Sequence, residues 1–141
     1  MPYLPADLPR ILPGRDDAPW WDALRRHELV IQQCSACGTW RHPPVPVCAA
    51  CHATASRWER VSGRGRVFSY TVVHHAVHPS LAGRVPYNVV LVELPDAGNV
   101  RLVSNLVDVP PDEVKVGLEV EVVFEDLEDV VLPRFRRART S

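Results

Sequence analysis

Residues 34–51 read Cys34-Ser35-Ala36-Cys37-Gly38-Thr39-Trp40-Arg41-His42-Pro43-Pro44-Val45-Pro46-Val47-Cys48-Ala49-Ala50-Cys51, and they contain every cysteine of the chain. Each Cys-X-X-Cys pair lets two thiolates reach one ion from a tight turn, and two such turns complete a tetrahedron of sulfur. Such a set leaves no coordination position for water. Two disulfides are the other use of four cysteines, and they belong to an oxidising compartment and a short, loop-rich secreted chain. The start, Met1-Pro2-Tyr3-Leu4-Pro5, has neither the basic opening nor the apolar run of a signal peptide, and nothing later approaches a membrane span. The expectation is therefore a reducing cytoplasm and one zinc ion on Cys34, Cys37, Cys48 and Cys51. Iron is the alternative ion, because four thiolates hold either metal. His52, beside Cys51, is expected to stand outside a thiolate set that is already complete.

Outward from this stretch the chain divides into three parts: an N-terminal arm and helix over residues 1–28, a metal ribbon over 29–57, and a barrel with a C-terminal tail over 58–141. Leu29-Val30-Ile31-Gln32-Gln33 reads as a short strand that delivers Cys34, and Gly38 gives the knuckle its permissive backbone. Between the knuckles, Pro43, Pro44 and Pro46 stiffen an extended segment that serves either as a docking edge or as a simple return of the chain. Upstream, Met1 to Gly14 is proline-rich and aperiodic, as an extended arm would be. Asp16 or Asp17 then caps a helix with Pro19 in its first turn and Arg25 and Arg26 near its end. Trp20, Trp21 and Leu24 share one face of that helix. Two adjacent tryptophans dock either on the chain's own sheet or on a partner protein, where Trp is a favoured anchor.

Downstream of Trp58 the pattern changes to period two. Arg66–His74, Tyr87–Leu94, Val100–Leu106 and Glu119–Glu125 are alternating, β-branched runs, and a shorter fifth covers Val130–Phe135. Gly63-Arg64-Gly65, Pro95-Asp96-Ala97-Gly98-Asn99 and Lys115-Val116-Gly117 supply turns. Five such strands close most economically into a small OB-type barrel, which removes exposed sheet edges. The fold class is thus mostly β: helix, metal ribbon, five-stranded OB barrel. A chain of 141 residues with 46% apolar content has enough core for this.

The ordered set Trp20-Trp21-Asp22-Ala23-Leu24, Cys34-Ser35-Ala36-Cys37-Gly38, Pro43-Pro44-Val45-Pro46-Val47-Cys48, Ser62–Val73, Val85-Pro86-Tyr87, Ser104-Asn105-Leu106-Val107, Val123–Leu127 and Leu132-Pro133-Arg134-Phe135 resembles the zinc-ribbon/OB-fold family DUF35, associated with acyl-CoA enzymes. The resemblance runs from about Trp20 to about Phe135. It implies a rubredoxin-like zinc ribbon packed on an OB fold. It also implies an accessory subunit of a thiolase-like enzyme, including lipid-transfer-protein-type aldolases of steroid side-chain breakdown, in a two-plus-two assembly. His52 departs from the family's pattern, where glycine often follows the second knuckle.

Chemistry by the chain alone is poorly supported, since no thiol is left over and a closed thiolate site activates no water. His74, His75 and His78 are the best acid–base candidates, and such a cluster is more commonly a polar loop. Contact with acyl-CoA has stronger candidates: Arg64, Arg66, Arg84 and Arg134 flank strand ends where guanidinium forks meet phosphates. Trp20, Trp21, Pro43 and Pro44 are the candidate partner interface. A nucleic-acid module is the rival class, because ribbons and OB folds both serve it. A net charge of −1, with acidic residues just upstream of the C-terminal arginines, argues against nucleic acid and against an anionic membrane surface.

Overall fold

A computed structural model describes residues 2–5, 8 and 11–139, so the expected arm over Met1 to Gly14 lies partly outside the described residues. Helix α1 (Ala18–Arg25) starts where Pro19 sets the first turn. Asp17 holds the N-cap position, but its carboxylate does not cap the backbone. Pro19 removes one amide that a cap would reach, and Asp17 instead accepts from the Trp21 indole N–H at 3.0 Å and from the Gly14 amide at 2.6 Å. The helix buries Trp20, Ala23 and Leu24, and the two tryptophan rings meet edge-on with centroids 4.7 Å apart.

The ribbon is a three-stranded antiparallel sheet with β1 (Val30–Cys34) between β2 (Trp40–Arg41) and β3 (Ser56–Arg60). Strand β1 lies one residue later than the Leu29–Gln33 run read from the sequence and includes Cys34 itself. Neither flanking strand was expected: β2 is two residues long, and Ser56-Arg57-Trp58-Glu59-Arg60 has no apolar alternation to mark a strand.

The remaining strands, β4 (Arg64–Val73), β5 (Tyr87–Leu94), β6 (Val100–Ser104), β7 (Glu119–Asp126) and β8 (Val131–Arg137), form one antiparallel sheet in the order β6-β5-β4-β7-β8. The sheet curls until its two edges meet. A parallel bridge joins Leu106 to Phe135, with the Val107 amide donating to the Phe135 carbonyl at 2.8 Å and the Phe135 amide to the Asn105 carbonyl at 3.1 Å. This is the OB-type closure that the five alternating runs required, with β8 two residues longer at its end than expected. Strand β4 passes close to β5 at Gly65, where a Cβ would lie 2.6 Å from the Glu93 carbonyl oxygen. Only glycine fits there.

One apolar cluster runs from Trp20 and Leu24 of α1 through Leu29 and Ile31 to Val67, Val92, Leu94, Leu102, Val120 and Phe135 of the barrel. Ribbon and barrel therefore share a core. They are also keyed together by Trp40, whose ring lies on Gly98 so closely that a Cβ there would be 2.5 Å from Trp40 Cδ1. Among the described residues no helix is long and apolar enough to cross a membrane.

Candidate metal centre

Strand β1 ends on Cys34, and the chain turns so that the Gly38 amide donates to the Cys34 carbonyl at 3.0 Å while the Cys34 amide donates to the Thr39 carbonyl at 2.8 Å. Gly38 occupies the left-handed region, with φ of 80°. The second knuckle repeats this turn: the His52 amide donates to Cys48 and the Cys48 amide to Ala53, both at 2.9 Å. His52 takes the place of Gly38 there and adopts φ of 65°. The family departure noted in the sequence is thus a non-glycine residue held in a conformation that favours glycine.

The four sulfurs all lie within 4.8 Å of one another. Cys34 Sγ is 3.6 Å from Cys51 Sγ, and Cys37 Sγ is 3.7 Å from Cys48 Sγ. A tetrahedron of metal–sulfur bonds near 2.3 Å has edges of about 3.8 Å, so the observed edges fit a single ion. Cys34 and Cys48 are buried, and Cys37 and Cys51 line the exposed side. Amides at Cys37 and Ala36 point at Cys34 and hold its thiol down at about 6, and amides at Cys51 and Ala50 likewise lower Cys48. At Cys51 the Ala53 amide also lowers, but the Cys37 and Cys34 sulfurs outweigh it and push the thiol up to about 11. In the absence of a cation, crowded sulfurs keep a proton among them; a divalent ion removes that need. Thr39, whose hydroxyl lies 3.1 Å from Cys37 Sγ, adds a polar contact that no sequence pattern signalled.

The remaining sequence candidates are dispersed. Arg64 and Arg66 border one shallow depression with Ser62, Gly65 and Asp96. Arg66 is held by Glu93, through Nη2 at 2.6 Å and Nε at 3.0 Å. Arg64 is mostly exposed and reaches Glu121 only at 4.0 Å. Arg84 lies elsewhere, donating to the Pro2 carbonyl at 2.5 Å. Arg134 is buried and donates to Asn105, with Glu125 at 3.4 Å. The four arginines therefore do not converge on one pocket.

Trp20 packs inward and faces His42 with ring centroids 5.6 Å apart, while Trp21 is half-buried. Pro43 is exposed and Pro44 half-buried, on a segment that also exposes Val45 and Val47. His74 and His75 are exposed beyond β4, and His78 instead accepts from the Ser80 amide at 3.2 Å to start a short 3-10 turn. Among the described residues the histidines form no metal-binding group.

Residues 21–57 match the family model described as the ChsH2 rubredoxin-like zinc ribbon domain, and residues 58–125 match that of the ChsH2 C-terminal OB-fold domain. The chain is 42% identical over 133 residues to a probable enoyl-CoA hydratase alpha subunit of Thermomonospora curvata, covering 92% of this chain but only 40% of that protein. It is 31% identical over 111 residues to a DUF35 domain-containing scaffold protein of Methanocaldococcus jannaschii, covering 78% of this chain and 77% of that one. Among solved structures, the Ltp2-ChsH2(DUF35) aldolase contains a chain that superposes with a TM-score of 0.81 at 40% identity, covering 91% of this chain and 98% of that one. With the ribbon, the closed barrel and the four converging sulfurs in place, these matches establish that the chain belongs to the DUF35 family.

Proposed function

We propose that this chain is a non-catalytic accessory subunit that binds and stabilises a thiolase-type enzyme, either a thiolase or a lipid-transfer-protein-like aldolase, acting on acyl-CoA thioesters. The observation that carries this reading is the closed sulfur set: Cys34, Cys37, Cys48 and Cys51 lie together, so no cysteine remains as a nucleophile. These four residues would hold one zinc ion, which cross-links two turns and offers no open position for water. Similarity to a scaffold protein and to a subunit of an aldolase supports an adaptor whose reacting groups belong to another molecule.

The extended segment bearing Pro43, Pro44, Val45 and Val47 supports a docking role, because it presents apolar side chains beside a rigid metal centre. Trp21, half-buried on α1, is a further candidate for that interface. Of the four candidate arginines, Arg64 is the best placed to meet a CoA phosphate, since its guanidinium is the most exposed and lies beside Gly65. A dimeric thiolase-type partner makes the assembly two-plus-two, in the cytoplasm.

The test is reconstitution. The zinc-loaded chain is assayed with CoA thioesters alone and after co-expression with a thiolase-type enzyme from the same organism, and the complex is weighed by light scattering. No turnover by the chain alone, a two-plus-two mass and a partner that loses activity or stability without the chain are expected. Turnover by the isolated chain that disappears in His74→Ala or His75→Ala would overturn the reading.

A further inference from the structure

Arg41 sits in β2 with only 9% of its surface exposed. Its Nε donates to the Val45 carbonyl at 3.1 Å, but Nη1 and Nη2 are buried with no hydrogen-bond partner, and among the described residues no carboxylate pairs with it. Arginine stays protonated in proteins, and a buried charge without a partner is among the most costly features a fold can carry. A negative charge close by would offset that cost.

The sheet register says which residues share the face of Arg41. Arg41 stands opposite Gln32, Trp58 opposite Gln32, and Ser56 opposite Cys34. Side chains two apart on a strand share a face, and directly paired residues share a face across strands. Arg41, Gln32 and Cys34 are therefore on one side of the ribbon. Gln32 ties down that side: its Nε2 donates to Ser56 Oγ at 3.1 Å and its Oε1 accepts from the Val45 amide at 3.0 Å. The connection that ends in Cys48 is thus fastened over this face by Gln32 and Arg41 together. The guanidinium is buried on the ribbon face that carries Cys34, and it is tied through Val45 to the connection that ends in Cys48. Four thiolates around a divalent ion carry a net charge of −2, and on the side where Cys34 and Cys48 are buried that charge is less screened by water.

We infer that Arg41 is the internal counter-charge of the metal–thiolate centre, a positioning residue that makes metal loading and closure of the 41–48 connection depend on each other. The inference rests on the metal reading given above. A cation at this place stabilises the loaded, negatively charged centre more than the protonated thiols. Its removal therefore weakens metal binding rather than only the fold.

The test uses the full chain with zinc and two variants, Arg41→Met, which keeps the length and removes the charge, and Arg41→Lys, which keeps the charge. Zinc affinity is measured by competition with a chromophoric chelator, together with the pH at which half the zinc is released; circular dichroism at saturating zinc confirms a native-like ribbon. A loss of tenfold or more in affinity for Arg41→Met, a higher half-release pH, and recovery towards wild type in Arg41→Lys are expected. Affinity and half-release pH within twofold and 0.2 pH units, as rough limits for one charge, or better recovery by Met than by Lys, would overturn the counter-charge role. Absence of zinc binding by the wild-type chain would instead overturn the metal reading itself.

Discussion

His52 and Gly38 perform the same task with different chemistry. Both follow the last cysteine of a knuckle and both adopt positive φ, 65° and 80°, yet only glycine does so without a steric penalty of about 1–2 kcal/mol. His52 is exposed, so its side chain gives little back through packing. His52→Gly should therefore stabilise the zinc-loaded chain by about 0.5–1 kcal/mol after the entropy cost of glycine is counted, as measured by urea denaturation. His42 tells the opposite story. Burial, which disfavours the imidazolium, holds it down at about 4 from an ordinary 6.5. The unfolded chain takes up a proton as pH falls through about 6.5 and the folded chain does not until about 4, so stability is lost across that window. Between pH 7 and pH 5.5 the loss is about 1 kcal/mol. With excess zinc throughout, His42→Gln should remove this increment of pH dependence whatever it does to stability at pH 7.

Among the elements, the knuckles, β1 and the long strands were legible, and the two ribbon strands that flank β1 were not. Cys-X-X-Cys spacing signals a turn directly, and the alternation of Tyr87–Leu94 matches a burial pattern that alternates in β5. Strands β2 and β3 exist because β1 needs hydrogen-bonding neighbours on both sides, a tertiary demand that two or five residues do not advertise. The same holds for Asp17, whose capping role was diverted by an indole one turn later. Gly65, a turn glycine in the sequence pattern, lies within β4 and serves its close approach to β5. Gly65→Ala would force a methyl group against the Glu93 carbonyl and should cost about 1–3 kcal/mol. In contrast, Gly83→Ala, where nothing lies within 4 Å, should be close to neutral. Thermal unfolding of the two variants side by side separates packing from turn propensity.

For the molecule as a whole, ribbon and barrel share one apolar cluster, so an ion that holds the ribbon would stabilise both. Chelation of the ion should therefore lower the thermal midpoint of the entire chain and not only loosen the ribbon. Charge is also organised globally. Arg136 pairs with Glu121 at 3.0 Å and Arg137 with Glu113 at 2.9 Å, while Arg66 and Arg101 flank Glu93. Arg136, through its hydrogen bond, holds Glu121 below its usual carboxylate range. Arg134, Arg136 and Arg137 thus face acids of their own chain, two of them in the acidic run just upstream, and labelled single-stranded DNA at low salt should bind weakly and without a steep salt dependence. The sequence could not place the four candidate arginines relative to one another, because their separation depends on how the barrel curls. It could place the cysteines, because each knuckle is local and fixes two sulfurs within one turn. X-ray absorption at the metal edge of the purified, loaded chain tests that assignment most directly. One zinc per chain with four sulfur neighbours near 2.3 Å and no oxygen or nitrogen neighbour is predicted; a light-atom ligand in the coordination shell, or no bound metal, would contradict it.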